Sequence, residues 1–366
     1  MMSNDLVLLN PGPVMTHYRV REALSGPDAC HRETEVTELI GDIRRDLVEI
    51  CDGDQRWHSA VLITGSGTAA VEATLISAVQ RDRVLVIVNG HYGERLLDIA
   101  RSHGLDVEPF KLAWQQEIDL EVLDSKLRAD PLIKYIALVH HETSTGMLND
   151  AAAVSRSARA HGVEVILDAV SSLGCEPLSI STGGADWIVS SANKCIEGAP
   201  GLSFVVAKRR LMEALPTQAR GYYLDIGRYF RSQESKSVPF TPAVPILRAL
   251  SVACGLLKEE TVAGRALRYS FLTEKVRDGL SRLGIRSDLS PEHRSSSLTA
   301  FEIPTGWTYA ELHDQLREHG FVIYASQGER AGKQFRIATM GQIPSGEIDR
   351  LLLVLEEMLS SQGGPL

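Results

Sequence analysis

The chain has 366 residues, 44% of them hydrophobic and 23% charged, and carries a net charge of -9. That length exceeds what one hydrophobic core usually organises, so two domains are expected, and the ordinary proportions argue against long disorder. An acidic chain without a basic run argues against nucleic-acid binding, no apolar stretch approaches the ~20 residues of a membrane span, and five scattered cysteines fit a reducing compartment.

The first nine residues are read as too short and too acidic for a signal peptide, so a cytoplasmic protein is expected. Residues 61–79 read as a short apolar strand, the Gly-rich turn Thr64-Gly-Ser-Gly-Thr68, and an Ala-rich helix. Gly65 and Gly67 let the backbone approach an anion, Ser66 and Thr68 add hydroxyl donors, and the helix start adds partial positive charge. The same letters fit Gly-x-Gly-x-x-Ala, the dinucleotide fingerprint, which expects an acidic residue about 20 positions on to hold a ribose. Here the next strand, residues 83–88, ends in Asn89-Gly90 and offers no carboxylate. Asn89-Gly-His-Tyr-Gly93 places Tyr92 in a Gly-flanked turn, where its ring either stacks on a planar ligand or packs as an ordinary loop tyrosine.

A strand over 135–140 leads to His141-Glu-Thr-Ser-Thr-Gly146, in which Thr143 is the candidate ligand contact. A metal reading of His140, His141 and Glu142 is poor, because successive strand side chains face opposite ways and no second ligand cluster follows. The apolar strand 163–168 ends in Asp168, and another delivers Lys194 into the small-residue turn Ser190-Ser-Ala-Asn-Lys-Cys195. A lysine that can hold an aldehyde as a Schiff base, a carboxylate that can keep a pyridine nitrogen protonated, and a phosphate-binding turn are together what pyridoxal 5'-phosphate (PLP) requires. Either residue alone reads more readily as a surface lysine or a helix cap. Cys195 beside the lysine raises a cysteine-desulfurase reading, but a buried, inert thiol is preferred. A long helix is expected over 252–275, then strands near 297–303, 322–324 and 334–337, and an amphipathic helix over 349–359. The expected division is an N-terminal segment 1–15, a large domain 16–250 and a small domain with its linking helix, 251–366.

These stretches, with Leu9-Asn-Pro-Gly-Pro13 and Gly320-Phe-Val-Ile-Tyr324, together resemble the class V aminotransferases of PLP fold type I, and within them most closely the 2-aminoethylphosphonate aminotransferases. The resemblance runs nearly end to end and is most specific at Ser191-Ala-Asn-Lys-Cys-Ile196. It implies an α/β fold with a mainly parallel sheet, helices on both faces and a smaller C-terminal α+β domain. It also implies Lys194 as the Schiff-base lysine, Asp168 as the pyridinium partner, and Ser66, Gly67 and Thr68 as phosphate ligands. Tyr92 would stack on the ring with Val170 on the opposite face, Thr143 would touch the cofactor, and Asn193 would stand near the phosphate. Arg336 matches the arginine that holds the carboxylate of the amino or keto acid.

Two departures stand out. Members commonly read Thr-Pro-Pro where a hydroxyl reaches the neighbouring subunit's phosphate in a homodimer; here the run is Thr241-Pro-Ala243, which keeps the hydroxyl. Members resembling the phosphonate-degrading enzyme have a Trp- and Asp-rich segment where this chain reads Ala29-Cys-His-Arg-Glu-Thr-Glu35, a pattern more similar to alanine-glyoxylate and biosynthetic 2-aminoethylphosphonate aminotransferases. Arg32 is therefore the candidate for an anionic substrate group. The expected reaction interconverts 2-aminoethylphosphonate and phosphonoacetaldehyde with a pair such as alanine and pyruvate, tilted toward biosynthesis. The alternative is an alanine- or serine-glyoxylate (or pyruvate) aminotransferase, and, from other classes, a PLP-binding regulator or a nicotinamide dehydrogenase.

Overall fold

The computed structural model describes residues 6–181, 184–217 and 220–361. A short strand β1 (Val7–Leu8) precedes the main sheet, which takes β2 (His58–Thr64), β3 (Arg83–Val88), β4 (Asp106–Lys111) and β5 (Ile133–Val139). After a small hairpin of β6 (His141–Glu142) and β7 (Met147–Leu148), the sheet is completed by β8 (Glu164–Asp168), β9 (Trp187–Ser191) and β10 (Leu202–Lys208). Its order is β2-β10-β9-β8-β5-β3-β4. Only β10 runs against its neighbours, so β2, β3, β5, β8 and β9 release their following loops on one edge of the sheet. In open α/β sheets that edge is where ligands bind.

Strands such as Val84–Val88 are apolar throughout because helices cover both sheet faces. Neighbouring residues divide between two cores: Leu62, Leu167 and Phe204 enter one, Ile63, Ile166 and Val205 the other. A third core gathers Leu272, Phe301, Phe335, Ile337 and Leu355 around an antiparallel sheet of β11 (Leu298–Glu302), β13 (Tyr324–Ala325) and β14 (Gln334–Ala338). β12 (Phe321–Val322) pairs in parallel with β1, and Val7 and Leu9 enter the same third core. The N-terminal segment is thereby anchored in the C-terminal part of the fold before it crosses to the main sheet.

The long helix expected over 252–275 is two helices, Val244–Glu260 and Val262–Arg282. Thr261 breaks it with φ of +68°, and its side chain accepts from the Gly264 N–H to cap the second helix. Leu250, Ala253 and Leu257 of the first helix pack on the main-sheet core, whereas Leu272 and Val276 of the second belong to the third. No helix among the described residues is long and apolar enough to cross a membrane.

Candidate active site

The anion-binding turn forms where β2 ends. Gly65 donates to the Gly201 carbonyl (2.9 Å), tying the turn to β10, and the helix Gly67–Thr74 begins directly after it. Ser66 occupies the N-cap in an extended conformation but makes no side-chain cap bond, which leaves its hydroxyl for another partner. A Cβ on Gly67 would approach Val170 Cγ2 to 2.8 Å. The glycine therefore keeps open a gap between the helix start and Val170.

Lys194 and Asp168 face the same cleft from the ends of neighbouring strands. The Lys194 ammonium donates to the Pro11 carbonyl, so the N-terminal segment lies against the lysine side chain. Burial lowers its pKa from 10.5 to about 8; the Cys195 thiol and Asp168 oppose that shift, and Arg336 and Arg95 add to it. An amine so shifted is partly neutral near pH 7 and is a nucleophile toward a carbonyl. Asp168 Oδ1 accepts from the Val170 N–H (3.0 Å), and burial raises its pKa from 3.8 to about 6. A buried carboxylate in that state gains from a cationic hydrogen-bond donor beside it.

Tyr92, expected in a Gly-flanked turn, sits in the first turn of the helix His91–Ser102. The buried Glu142 caps that turn, accepting from the N–H groups of Tyr92 (3.0 Å) and Gly93 (3.1 Å) and from the Ser144 hydroxyl (2.6 Å). This capping role is what the sequence reading, which treated Glu142 only as a poor metal ligand, did not find. Arg95, one helical turn on, lays its guanidinium 4.7 Å from the Tyr92 ring centroid.

Eight of the twelve expected site residues, Ser66, Gly67, Thr68, Tyr92, Asp168, Val170, Asn193 and Lys194, line one cleft of about 170 Å³. Arg95, His141, Ser171 and Ser191 line it too and were not expected. The spacing of three between Tyr92 and Arg95 on one helix was the available signal for Arg95. His141 Nε2 and the Ser191 hydroxyl are buried without a hydrogen-bond partner. Such orphaned groups beside an open glycine cradle fit a polar, phosphate-bearing ligand of PLP's kind.

Four expected residues stand elsewhere. Arg336 is buried in β14, with Phe335 and Ile337 pointing into the third core. Its Nε and Nη2 donate to the Ala325 carbonyl (3.1 and 2.7 Å) and its Nη1 to the Thr143 carbonyl (2.9 Å). It thus joins the small sheet to the β5–β8 loops close enough to lower the Lys194 pKa. Thr143 is buried but does not line the cleft, and Arg32 and Thr241 are exposed outside it. The adjacent histidines diverge as alternation requires: His140 Nδ1 meets the Ser172 hydroxyl (2.9 Å), while His141 Nδ1 donates to the Ser171 carbonyl (3.2 Å). Cys195 is fully buried, 3.2 Å from the Cys175 sulfur, and does not line the cleft.

Comparison with known proteins places these residues in a wider setting. The family pattern described as aminotransferase class-V matches residues 14–341. The 2-aminoethylphosphonate–pyruvate transaminase of Vibrio cholerae is 36% identical over 365 residues, spanning 98% of this chain and 99% of that protein. The enzyme of the same name from Salmonella paratyphi B is 34% identical over 97% of this chain and 98% of its own length. Among solved structures, alanine–glyoxylate aminotransferase from Nostoc sp. superposes with a TM-score of 0.91 at 29% identity, covering 97% of this chain and 95% of that one.

Proposed function

Because the chain belongs to the class-V aminotransferase family and so uses pyridoxal phosphate, we propose that it interconverts 2-aminoethylphosphonate and phosphonoacetaldehyde, with alanine and pyruvate as the other couple. The carrying observation is the cleft itself, where Lys194, Asp168 and the Gly67 cradle converge at the carboxyl edge of the sheet. The choice of phosphonate substrate is supported by the nearly full-length relatives that carry that name.

When bound, pyridoxal phosphate supplies an electron sink for the pair left on the substrate carbon after a proton is removed. The protein supplies the rest. Ser66, Thr68 and the N–H groups at the start of the helix Gly67–Thr74 hold the phosphate, with Asn193 beside it. Tyr92 and Val170 would hold the ring, Thr143 would contact the cofactor, and the Asp168 carboxylate would keep a proton on the ring nitrogen. Lys194 Nζ would hold the cofactor through its aldehyde and, as the free amine, would serve as the base that moves a proton at the substrate carbon. Arg336, pre-oriented by the Ala325 and Thr143 carbonyls, takes the carboxylate of alanine or pyruvate.

The proposal includes a homodimer. Thr241 is exposed beside Phe240 and the exposed Tyr222 and Tyr223, an apolar surface suited to a second copy. Thr241 would reach the neighbouring copy's phosphate, and Arg32, equally outside its own cleft, would meet the phosphonate group. The His31-Arg32 pair supports the biosynthetic direction in a cytoplasmic phosphonate metabolism.

A substrate panel tests this reading: 2-aminoethylphosphonate, alanine, serine and glutamate, each paired with pyruvate, glyoxylate, 2-oxoglutarate and phosphonoacetaldehyde. The 2-aminoethylphosphonate/pyruvate pair and its reverse should turn over fastest. No reaction of 2-aminoethylphosphonate, with rapid alanine/glyoxylate exchange, would move the assignment to the glyoxylate enzymes.

A further inference from the structure

Beneath the cleft lies a buried ionic cluster that none of the roles above uses. Glu197 follows Lys194 by three residues, and its N–H donates to the Lys194 carbonyl (2.8 Å). Its φ of +60° is left-handed, a conformation unfavourable for a residue bearing a Cβ. The buried Glu197 carboxylate accepts from the Tyr269 hydroxyl (2.6 Å), Arg268 Nη2 (2.8 Å) and Gln342 Nε2 (2.5 Å). Arg265, 1% exposed, donates from Nη1 to the Cys195 carbonyl (2.7 Å). The turn that carries Lys194 is therefore gripped through its side chains and through its backbone.

The same partners hold the segment on the other side of the lysine. The Tyr269 hydroxyl accepts from the Gly341 N–H (2.9 Å), and Arg268 Nη1 donates to the Gly341 carbonyl (2.7 Å). Gly341 bridges to Met15, and the Gln342 N–H donates to the Met15 carbonyl (2.9 Å). That N-terminal segment supplies the Pro11 carbonyl that accepts from Lys194, and Gly12, where a Cβ would fall 2.5 Å from Lys194 Cδ. We propose that Glu197 is a positioning residue for Lys194, fixing at once the turn that carries the lysine and the N-terminal groove in which its side chain lies. The inference rests on the reading of Lys194 as the cofactor lysine.

Glu260 is the internal control. It meets the same two arginines, accepting from Arg265 Nε (2.8 Å) and Arg268 Nε (2.6 Å), but is bonded to neither the Lys194 turn nor the Gly341 region. Three variants separate positioning from stability: Glu197→Gln, Gln342→Met, which removes only the bond to Glu197 Oε2, and Glu260→Gln. In cofactor-free protein, Glu197→Gln should raise amide hydrogen exchange over residues 10–16 and 192–198 by about tenfold or more, with Gln342→Met in the same direction. In PLP-loaded protein, Glu197→Gln should shift the pH midpoint of the visible absorbance by about one unit and lower kcat about tenfold, with KM within about twofold. Glu260→Gln should lower the melting temperature and move none of these. If Glu197→Gln and Gln342→Met leave exchange and midpoint unchanged, or Glu260→Gln moves them equally, Glu197 is a stabilising element and the proposal is wrong. Should Glu197→Gln fail to fold, Gln342→Met decides alone. Failure of the unmodified protein to take up PLP would instead overturn the transaminase reading, while exchange in the cofactor-free protein would still decide the positioning role.

Discussion

Replacing Lys194 by methionine, which keeps the length and removes the charge, should stabilise the cofactor-free protein at neutral pH. Burial lowers the lysine pKa from 10.5 to about 8, so holding the ammonium in the cleft costs roughly 3 kcal/mol below pH 8. The bond to the Pro11 carbonyl returns about 1 kcal/mol, leaving a gain of ~2 kcal/mol for Lys194→Met at pH 7. The sign of the pH dependence follows from the lowered value. Between about pH 8 and 10.5 the unfolded chain binds a proton that the folded chain has released, so the unmodified protein gains stability as pH rises through that window. By pH 9.5 that gain is ~2 kcal/mol, enough to erase the advantage of the variant. Urea unfolding of both cofactor-free proteins at pH 7 and 9.5 measures the difference. The same shift leaves ~300-fold more neutral amine at pH 7 than a free lysine has. PLP capture should therefore rise with pH only to about 8 before levelling. A stability difference flat in pH, or a capture profile still climbing toward 10.5, would refute the argument that burial tunes this amine.

Asp168→Asn should retain PLP yet lose activity by about 100-fold or more, because the amide cannot hold the ring proton as a charge-assisted partner. Without cofactor the same variant should be more stable than the unmodified protein above about pH 6; the raised pKa means that stability from this carboxylate declines as pH rises from 3.8 to about 6. Gly67→Ala, whose Cβ would stand 2.8 Å from Val170 Cγ2, should weaken PLP binding about tenfold in a fluorescence titration while folding normally. Arg336→Lys should slow the alanine or pyruvate half-reaction by about tenfold in single-turnover spectra, since one ammonium cannot replace the fork held by Ala325 and Thr143. Arg32→Ala should spare that half and weaken the phosphonate half; equal loss in both would assign Arg32 to structure.

Much of the site was legible because parallel strands put their following loops on one edge, so Gly67, Tyr92, Asp168 and Lys194 could be placed together from strand ends alone. Apolar runs also marked β2, β3, β5, β8 and β9, whereas the polar edge strand β4 and the antiparallel β10 were not read as strands. The break at Thr261 was not legible, since helix-favouring residues continue on both sides of it and the turn is fixed by the two cores that the helices serve. His141 and Ser191 stand in stretches that carry the resemblance but, like Ser171, have no role legible there; their place on the cleft wall comes from which way each side chain leaves its strand or loop. The cluster under Lys194 joins positions 197, 260, 265, 268 and 342, a sequence separation no local pattern spans.

The central claim is that Lys194 carries the cofactor, and reductive trapping meets it head on. The PLP-loaded protein is treated with borohydride, digested, and its peptides mapped by mass. The account predicts one pyridoxyl group, on the peptide containing Lys194, and its disappearance when 2-aminoethylphosphonate is added without an oxo acid before reduction. A label on another lysine, or none at all in a protein saturated with PLP, would contradict it.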